Sequence, residues 1–283
     1  MIETLQGLTR DIADRLSKRP FCDPQKEARL IIEQVMGLPF PDQLLASRDA
    51  VKPEHRNAIE AIVQRRESGE PLARITSRGS FRDFDVDLVP DALVPRDDTS
   101  VLVDAALGRI APDSESRIAD LGTGSGIILI ALARERTSLR GTGFDISAAA
   151  IESAKNNACR LGVADRLSFV QSDWLTDTAD MFDGIVSNPP YISDVDYAAL
   201  PEEVQNHDPA QALRGGTDGL DHYRQILRQA PDRLTERGWV IVEIGATQAA
   251  DVKQLGLKAG FEFINVHKDL AGRDRALEFE KSD

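Results

Sequence analysis

Asn188-Pro189-Pro190-Tyr191 follows the apolar run Gly184-Ile185-Val186-Ser187, and its residue types build a rigid pocket for a planar NH2 group. The Asn188 side-chain oxygen accepts one N–H and a backbone carbonyl of the Pro-Pro turn accepts the other, which leaves the nitrogen lone pair facing an electrophile. Such aiming is needed because a conjugated NH2 is a poor nucleophile, its lone pair being delocalised into the neighbouring carbonyl or ring. Each proline fixes its own φ and restricts the residue before it, so Asn188 and Pro189 are held extended. Tyr191 has the shape and the polar tip to cover the flat face of the incoming group. The chemistry implied is methyl transfer onto nitrogen; taken alone, the four residues read equally well as a strand terminator.

A second signal lies upstream. Ile118-Ala119-Asp120-Leu121 runs into Gly122-Thr123-Gly124-Ser125-Gly126 and then the apolar stretch from Ile127 to Leu132, which reads as strand, glycine loop, helix. Glycines let the backbone approach a ligand closely, and the helix start offers unpaired N–H groups. Another strand-like run, Gly141 to Ile146, carries Asp145 at about the spacing of a ribose-binding carboxylate. The glycine pattern lacks the third glycine position of the dinucleotide loop, which favours S-adenosylmethionine over NAD as the ligand. Asp145 also has a structural reading, as cap of the helix that starts near Ser147. A third run, Leu167 to Ser172, leads to Asp173-Trp174, where Trp174 has the shape to pack along an adenine ring and Asp173 to receive its amine; a tryptophan in this setting serves as readily in the core.

The 283 residues suffice for two domains, and 41% hydrophobic with 29% charged residues is ordinary for a globular protein. No stretch approaches a membrane span and Met1-Ile2-Glu3-Thr4 has no signal-peptide character, so a cytoplasmic location is expected. Cys22 and Cys159 lie far apart and are expected to be reduced and structural; the four histidines have no paired spacing, so neither a metal nor a histidine base is expected, His207 being the one that could approach the pocket. The net charge of −13 is uneven: residues 1–80 carry 13 basic and 12 acidic side chains, so the acid excess falls in the remainder. An acidic catalytic half repels phosphate backbones, so no direct nucleic-acid partner is expected and a protein with a basic segment is favoured. Acidic surfaces also serve simply for solubility.

Helical patterns span Ile2 to Leu16, Pro24 to Met36 and Pro53 to Arg66. From Phe81 to Val89 apolar residues alternate, which predicts a β-hairpin. From Ile118 the order is strand, helix, strand, helix, strand, strand (Phe182 to Ser187), helix (Asp221 to Leu234), strand (Trp239 to Ile244) and helix (Thr247 to Ala259). Two antiparallel neighbours, Phe261 to Val266 and Ala276 to Glu280, close the chain. The expected division is a helical domain over residues 1–80, a hairpin linker over 81–98 and a catalytic domain over 99–283.

These motifs, with Glu70-Pro71-Leu72, Val94-Pro95-Arg96-Asp97-Asp98-Thr99 and Gly215-Gly216-Thr217-Asp218-Gly219-Leu220, resemble the HemK/PrmC family of glutamine methyltransferases that modify class-1 peptide chain release factors. The resemblance covers nearly the whole chain. It implies an α/β, class I Rossmann-like S-adenosylmethionine-dependent methyltransferase domain with a small N-terminal helical domain. By it, Asn188, Pro189, Pro190 and Tyr191 hold the glutamine of a Gly-Gly-Gln loop, while Gly122, Thr123, Gly124, Ser125, Gly126, Asp145, Trp174 and Asn188 contact S-adenosylmethionine. A monomer is expected. Three positions depart from the family's pattern: Asp97 where a second proline is usual, Arg74 where an aromatic or glutamine is common, and Ser77 where a glycine stands. Neighbouring readings are methylation of a ribosomal-protein glutamine, whose linker motif usually reads Pro-Arg-Ser, adenine-N6 methylation of nucleic acid, and a non-catalytic adenosylmethionine-binding adapter, which would need a damaged site.

Overall fold

The computed structural model describes residues 4–19 and 23–282 and divides into two compact units, Met1–Arg78 and Gly79–Asp283. Ile2, the expected start of the first helix, and Cys22 lie outside the described residues.

In the first unit, α1 (Leu5–Leu16) starts at Thr4, whose side chain accepts the Gly7 N–H, and buries Leu5, Leu8, Ile12 and Leu16 on one face. The second helix, α2 (Pro24–Met36), is capped by Asp23 through the Lys26 N–H, starts on proline and stops at left-handed Gly37. Short α3 (Phe40–Leu45) is followed by α4 (Pro53–Glu67), which contributes Ile59 and Val63 to a core shared with α1 and α2. Buried Arg66 is held by Glu27 at 2.8 Å. The last element, α5 (Leu72–Thr76), ends at Ser77 with φ 53°, so the residue standing where the family has glycine occupies the left-handed conformation that glycine tolerates best.

The second unit opens with the hairpin β1 (Arg78–Phe81) and β2 (Phe84–Asp87), turned by Arg82 at φ 53°. Then follow α6 (Thr99–Arg109), β3 (Arg117–Leu121), α7 (Ile127–Glu135), β4 (Arg140–Asp145), α8 (Ala148–Arg160), β5 (Leu167–Gln171) and β6 (Phe182–Ser187). Three short helices, α9 (Asp194–Ala198), α10 (Glu202–His207) and α11 (Ala210–Leu213), precede α12 (Asp221–Gln229), β7 (Leu234–Glu243), α13 (Ala249–Lys258), β8 (Phe261–Lys268) and β9 (Asp274–Lys281). The hairpin docks on α8, where Asn157 accepts the Asp87 N–H and donates to the Asp87 carbonyl.

Seven strands form one sheet in the order β5-β4-β3-β6-β7-β9-β8. The first five positions are parallel, and β9 enters antiparallel between β7 and β8, as the terminal pair was expected to do. β3 and β6 are buried almost throughout, which explains why they read as continuous apolar runs. From β3 the chain moves outward to β4 and β5, then returns to β6 on the other side, so the crevice at the carboxyl ends of β3 and β6 is the switch point where ligands of such sheets bind. The fold is the Rossmann-like sheet that the resemblance implies. Among the described residues no helix is long and apolar enough to cross a membrane.

Candidate active site

At the end of β3 the chain turns through Gly122 and Gly124 at φ 70° and 54°, a conformation that an L side chain adopts only with strain. The turn is pinned to the end of β4: the Gly122 and Thr123 N–H groups donate to the Phe144 carbonyl at 2.8 and 2.9 Å, and the Gly124 N–H donates to Asp145 Oδ2 at 2.9 Å. Thr123 also donates its hydroxyl to Asp120 Oδ2 at 2.6 Å. Asp120 is wholly buried, and burial pushes its carboxyl up to about 7 against the pull of the Thr123 hydroxyl. Burial likewise raises Asp145, opposed by backbone N–H groups that include Ser147, which donates to Oδ1 at 2.9 Å. Each Asp145 oxygen keeps a further lone pair, and the cap of α8 is Ser147, which accepts the Ala150 N–H.

A cavity of about 400 Å³ lies here, within the range of small-molecule sites. Gly122, Thr123, Gly124, Ser125, Asp145, Asp173, Trp174, Asn188 and Pro190 line it; Gly126, Pro189 and Tyr191 are not among its lining residues. A Cβ on Gly126 would lie 3.1 Å from that of Ala154, so this glycine lets α7 and α8 approach. Trp174 takes φ 55°, donates its indole N–H to Gln225 at 3.0 Å, and sits 5.3 Å from the His222 ring. Cys159 is exposed, a correction to its expected structural role: it falls on the outer face of α8, which its position in the apolar pattern did not disclose.

Asn188 follows β6 directly and donates its NH2 to Thr99 Oγ1 at 3.2 Å, which leaves its side-chain oxygen available. Pro189 is buried. Tyr191 donates to Glu243 Oε1 at 3.4 Å, and burial beside that carboxylate holds its phenol well above the ordinary range. Its carbonyl accepts the Gln248 amide at 3.0 Å. Sequence reasoning missed Thr99, His222 and Gln225 on the cavity and Glu243 behind it. The signal for Glu243 was present: a carboxylate ends an apolar strand at the same sheet edge as Asn188. His222 rather than His207 lines the cavity, and its Nδ1 is buried without a hydrogen-bond partner among the described residues.

These residues fit an adenosyl donor. The positive-φ turn brings backbone rather than side chain to the cavity wall, a half-satisfied carboxylate stands beside it, and a flat aromatic closes one side. A cavity so built, at the switch point of a sheet in this strand order, defines a class I S-adenosylmethionine-dependent methyltransferase. The Methyltransferase small domain family matches residues 97–216 and the PrmC N-terminal domain family residues 8–76. The chain belongs to the release factor glutamine methyltransferase family. A member from Rhodospirillum rubrum is 44% identical over 254 residues, 90% of this chain and 78% of that protein. One from Agrobacterium fabrum is 41% identical over 271 residues, 94% of each. The crystal structure of a methyltransferase from Pyrococcus furiosus shares the fold, with a TM-score of 0.52 at 18% identity over 70% of this chain and 90% of that one.

Proposed function

We propose that this protein transfers a methyl group from S-adenosylmethionine to the side-chain amide nitrogen of the glutamine in the Gly-Gly-Gln loop of class-1 peptide chain release factors. The observation that carries the reading is the state of Asn188: its NH2 is engaged by Thr99, and its oxygen remains to accept an N–H in a cavity that also holds the glycine turn. Family membership supplies the substrate class.

When bound, S-adenosylmethionine supplies an electrophilic methyl group. The residues that would hold it are Gly122 to Ser125, Asp145 through its remaining lone pairs, and Trp174, with Gly126 supporting the loop from outside the cavity. Asn188 and a carbonyl of the Pro189-Pro190 turn orient the amide nitrogen, Pro190 bounds its path and Tyr191 stiffens the turn from behind. No strong base is needed, because an alkylated amide nitrogen is acidic enough to release its proton to water. Orientation of this kind is worth roughly 7 to 11 kcal/mol in favourable cases.

Residues 1–80 recognise the body of the release factor, the hairpin region to residue 98 links the two parts, and the acidic remainder receives the loop. The protein acts as a monomer in the cytoplasm without binding nucleic acid. The test is incubation with labelled S-adenosylmethionine and, separately, release factors, ribosomal protein and duplex DNA, with the label mapped by mass spectrometry. Label on the Gly-Gly-Gln glutamine is expected; label on DNA alone would overturn the reading.

A further inference from the structure

Trp174 stands in the left-handed region at φ 55°, where a bulky aromatic is strained, and such a residue persists only where its surroundings over-determine it. Helix α12 supplies much of that hold. His222, Gln225 and Gln229, spaced three and four residues apart, share one face of α12. The His222 ring lies 5.3 Å from the indole, Gln225 Oε1 accepts the indole N–H at 3.0 Å, and Gln229 Oε1 accepts the Leu175 N–H at 2.9 Å. The Trp174 ring in turn closes on the glycine turn: a Cβ on Gly122 would lie 3.4 Å from it.

An indole N–H only donates, so the Gln225 atom that meets it must be the amide oxygen. The NH2 is then the end left over. It has no hydrogen-bond partner among the described residues, it is not sealed from solvent, and Gln225 lines the cavity. Asp173, the residue before Trp174, lines the same cavity with a carboxylate, which accepts. A donor and an acceptor thus flank the aromatic wall. Adenine has the matching polarity, an exocyclic amine that donates beside ring nitrogens that only accept.

We propose that Gln225 is a specificity-determining residue of the cofactor site, donating its free N–H to a ring nitrogen of the adenine while its oxygen keeps Trp174 in place. The inference needs S-adenosylmethionine as the cofactor and is independent of which substrate takes the methyl group. One amide serves twice, and its two ends are not interchangeable, because the indole fixes which end is spent. An aromatic wall alone cannot tell adenine from a purine with altered ring nitrogens. A donor that would be left unpaired can.

The experiment is calorimetry on the full chain without any methyl acceptor, so that no turnover enters. The ligands are S-adenosylhomocysteine and three analogues in which N1, N3 or N7 of the purine is replaced by C–H. Gln225→Leu is expected to weaken S-adenosylhomocysteine about tenfold. One of the three replacements should cost the wild type about tenfold and cost Gln225→Leu nothing further, while the other two should cost both proteins alike within about twofold. Gln225→Glu keeps an oxygen for the indole and replaces the NH2 by an acceptor. It should therefore bind S-adenosylhomocysteine at least as weakly as Gln225→Leu, yet retain the wild-type tryptophan emission that Gln225→Leu shifts. If Gln225→Leu weakens all four ligands by the same factor, Gln225 only holds Trp174 and the reading of adenine is overturned. Affinity of Gln225→Glu for S-adenosylhomocysteine within about twofold of wild type overturns it as well. If Gln225→Leu does not fold, Gln225→Glu is run against the same four ligands by the same criterion.

Discussion

Asn188 gives its NH2 end to the fold and, in the proposed reading, its oxygen to the substrate. Its NH2 is held at 3.2 Å by Thr99, so Asn188→Ala should lower kcat by about 2.7 to 4 kcal/mol, the usual cost of one positioned group in a transition-state site, and leave the melting temperature nearly unchanged. Near-normal turnover at saturating release factor would remove Asn188 from the mechanism. Asp145 carries two tasks, since it holds the Gly124 and Ser147 N–H groups as well as facing the cavity. Asp145→Ala should weaken S-adenosylmethionine binding by roughly 1.5 to 3 kcal/mol and also lower the melting temperature; calorimetry showing unchanged affinity would leave only the structural task. Asp120 and Glu243, both pushed up to about 7 by burial, bind protons more tightly folded than unfolded. Stability should therefore fall as pH rises from about 4 to about 7 and level off above, by on the order of a few kcal/mol. Urea melts across that range check the sign, and an Asp120→Asn variant with the wild-type slope would sink the assignment. Residues within one motif were legible because local backbone constraints act there. Thr99 was not, because it reaches Asn188 only through the packing of α6 on β7, and Glu243, though it ends an apolar strand, is brought beside Asn188 only by the strand order.

At the scale of elements, β3 and β6 were legible because parallel strands buried on both faces leave apolar runs bounded by glycine or polar residues, whereas β5, at the sheet edge, shows itself by alternation. Helix α6 escaped because Val101-Leu102-Val103 is strand-like in composition, and its helical state is enforced by packing on α7 and β7 rather than by propensity. The short helices between residues 194 and 213 escaped for a related reason: four to six residues carry too little periodicity to register. Two backbone positions make these elements testable. Gly126 combines φ 84° with a close approach to Ala154, so Gly126→Ala should cost about 1 to 3 kcal/mol and weaken cofactor binding through the loop. Chemical denaturation showing wild-type stability would contradict the packing argument. Ser77 at φ 53° should behave oppositely: Ser77→Gly relieves strain of about 1 to 2 kcal/mol, less the entropy it adds to the unfolded chain, for a net gain below about 1 kcal/mol.

At the scale of the whole molecule, the proposed division of labour rests on where the cavity sits. Every residue lining the cavity falls between Asp91 and Gln225, inside the second unit, while the first unit has its own core from α1, α2 and α4. The acid excess lies almost wholly beyond residue 80, so the helical unit differs in charge as well as in architecture. A truncation should begin at Arg78, because β1 starts there and buried Phe81 anchors the hairpin. Removal of residues 1–77 is expected to leave S-adenosylmethionine affinity within about threefold and to lower kcat/KM for the intact release factor about tenfold or more. A short Gly-Gly-Gln peptide should be a poor substrate for both forms, since neither gains from contacts outside the loop. If the helices only shield the catalytic unit, the deletion will instead impair cofactor binding and melting temperature together. Survival of both cofactor affinity and kcat/KM on the intact factor would show that recognition resides elsewhere, within the acidic unit itself.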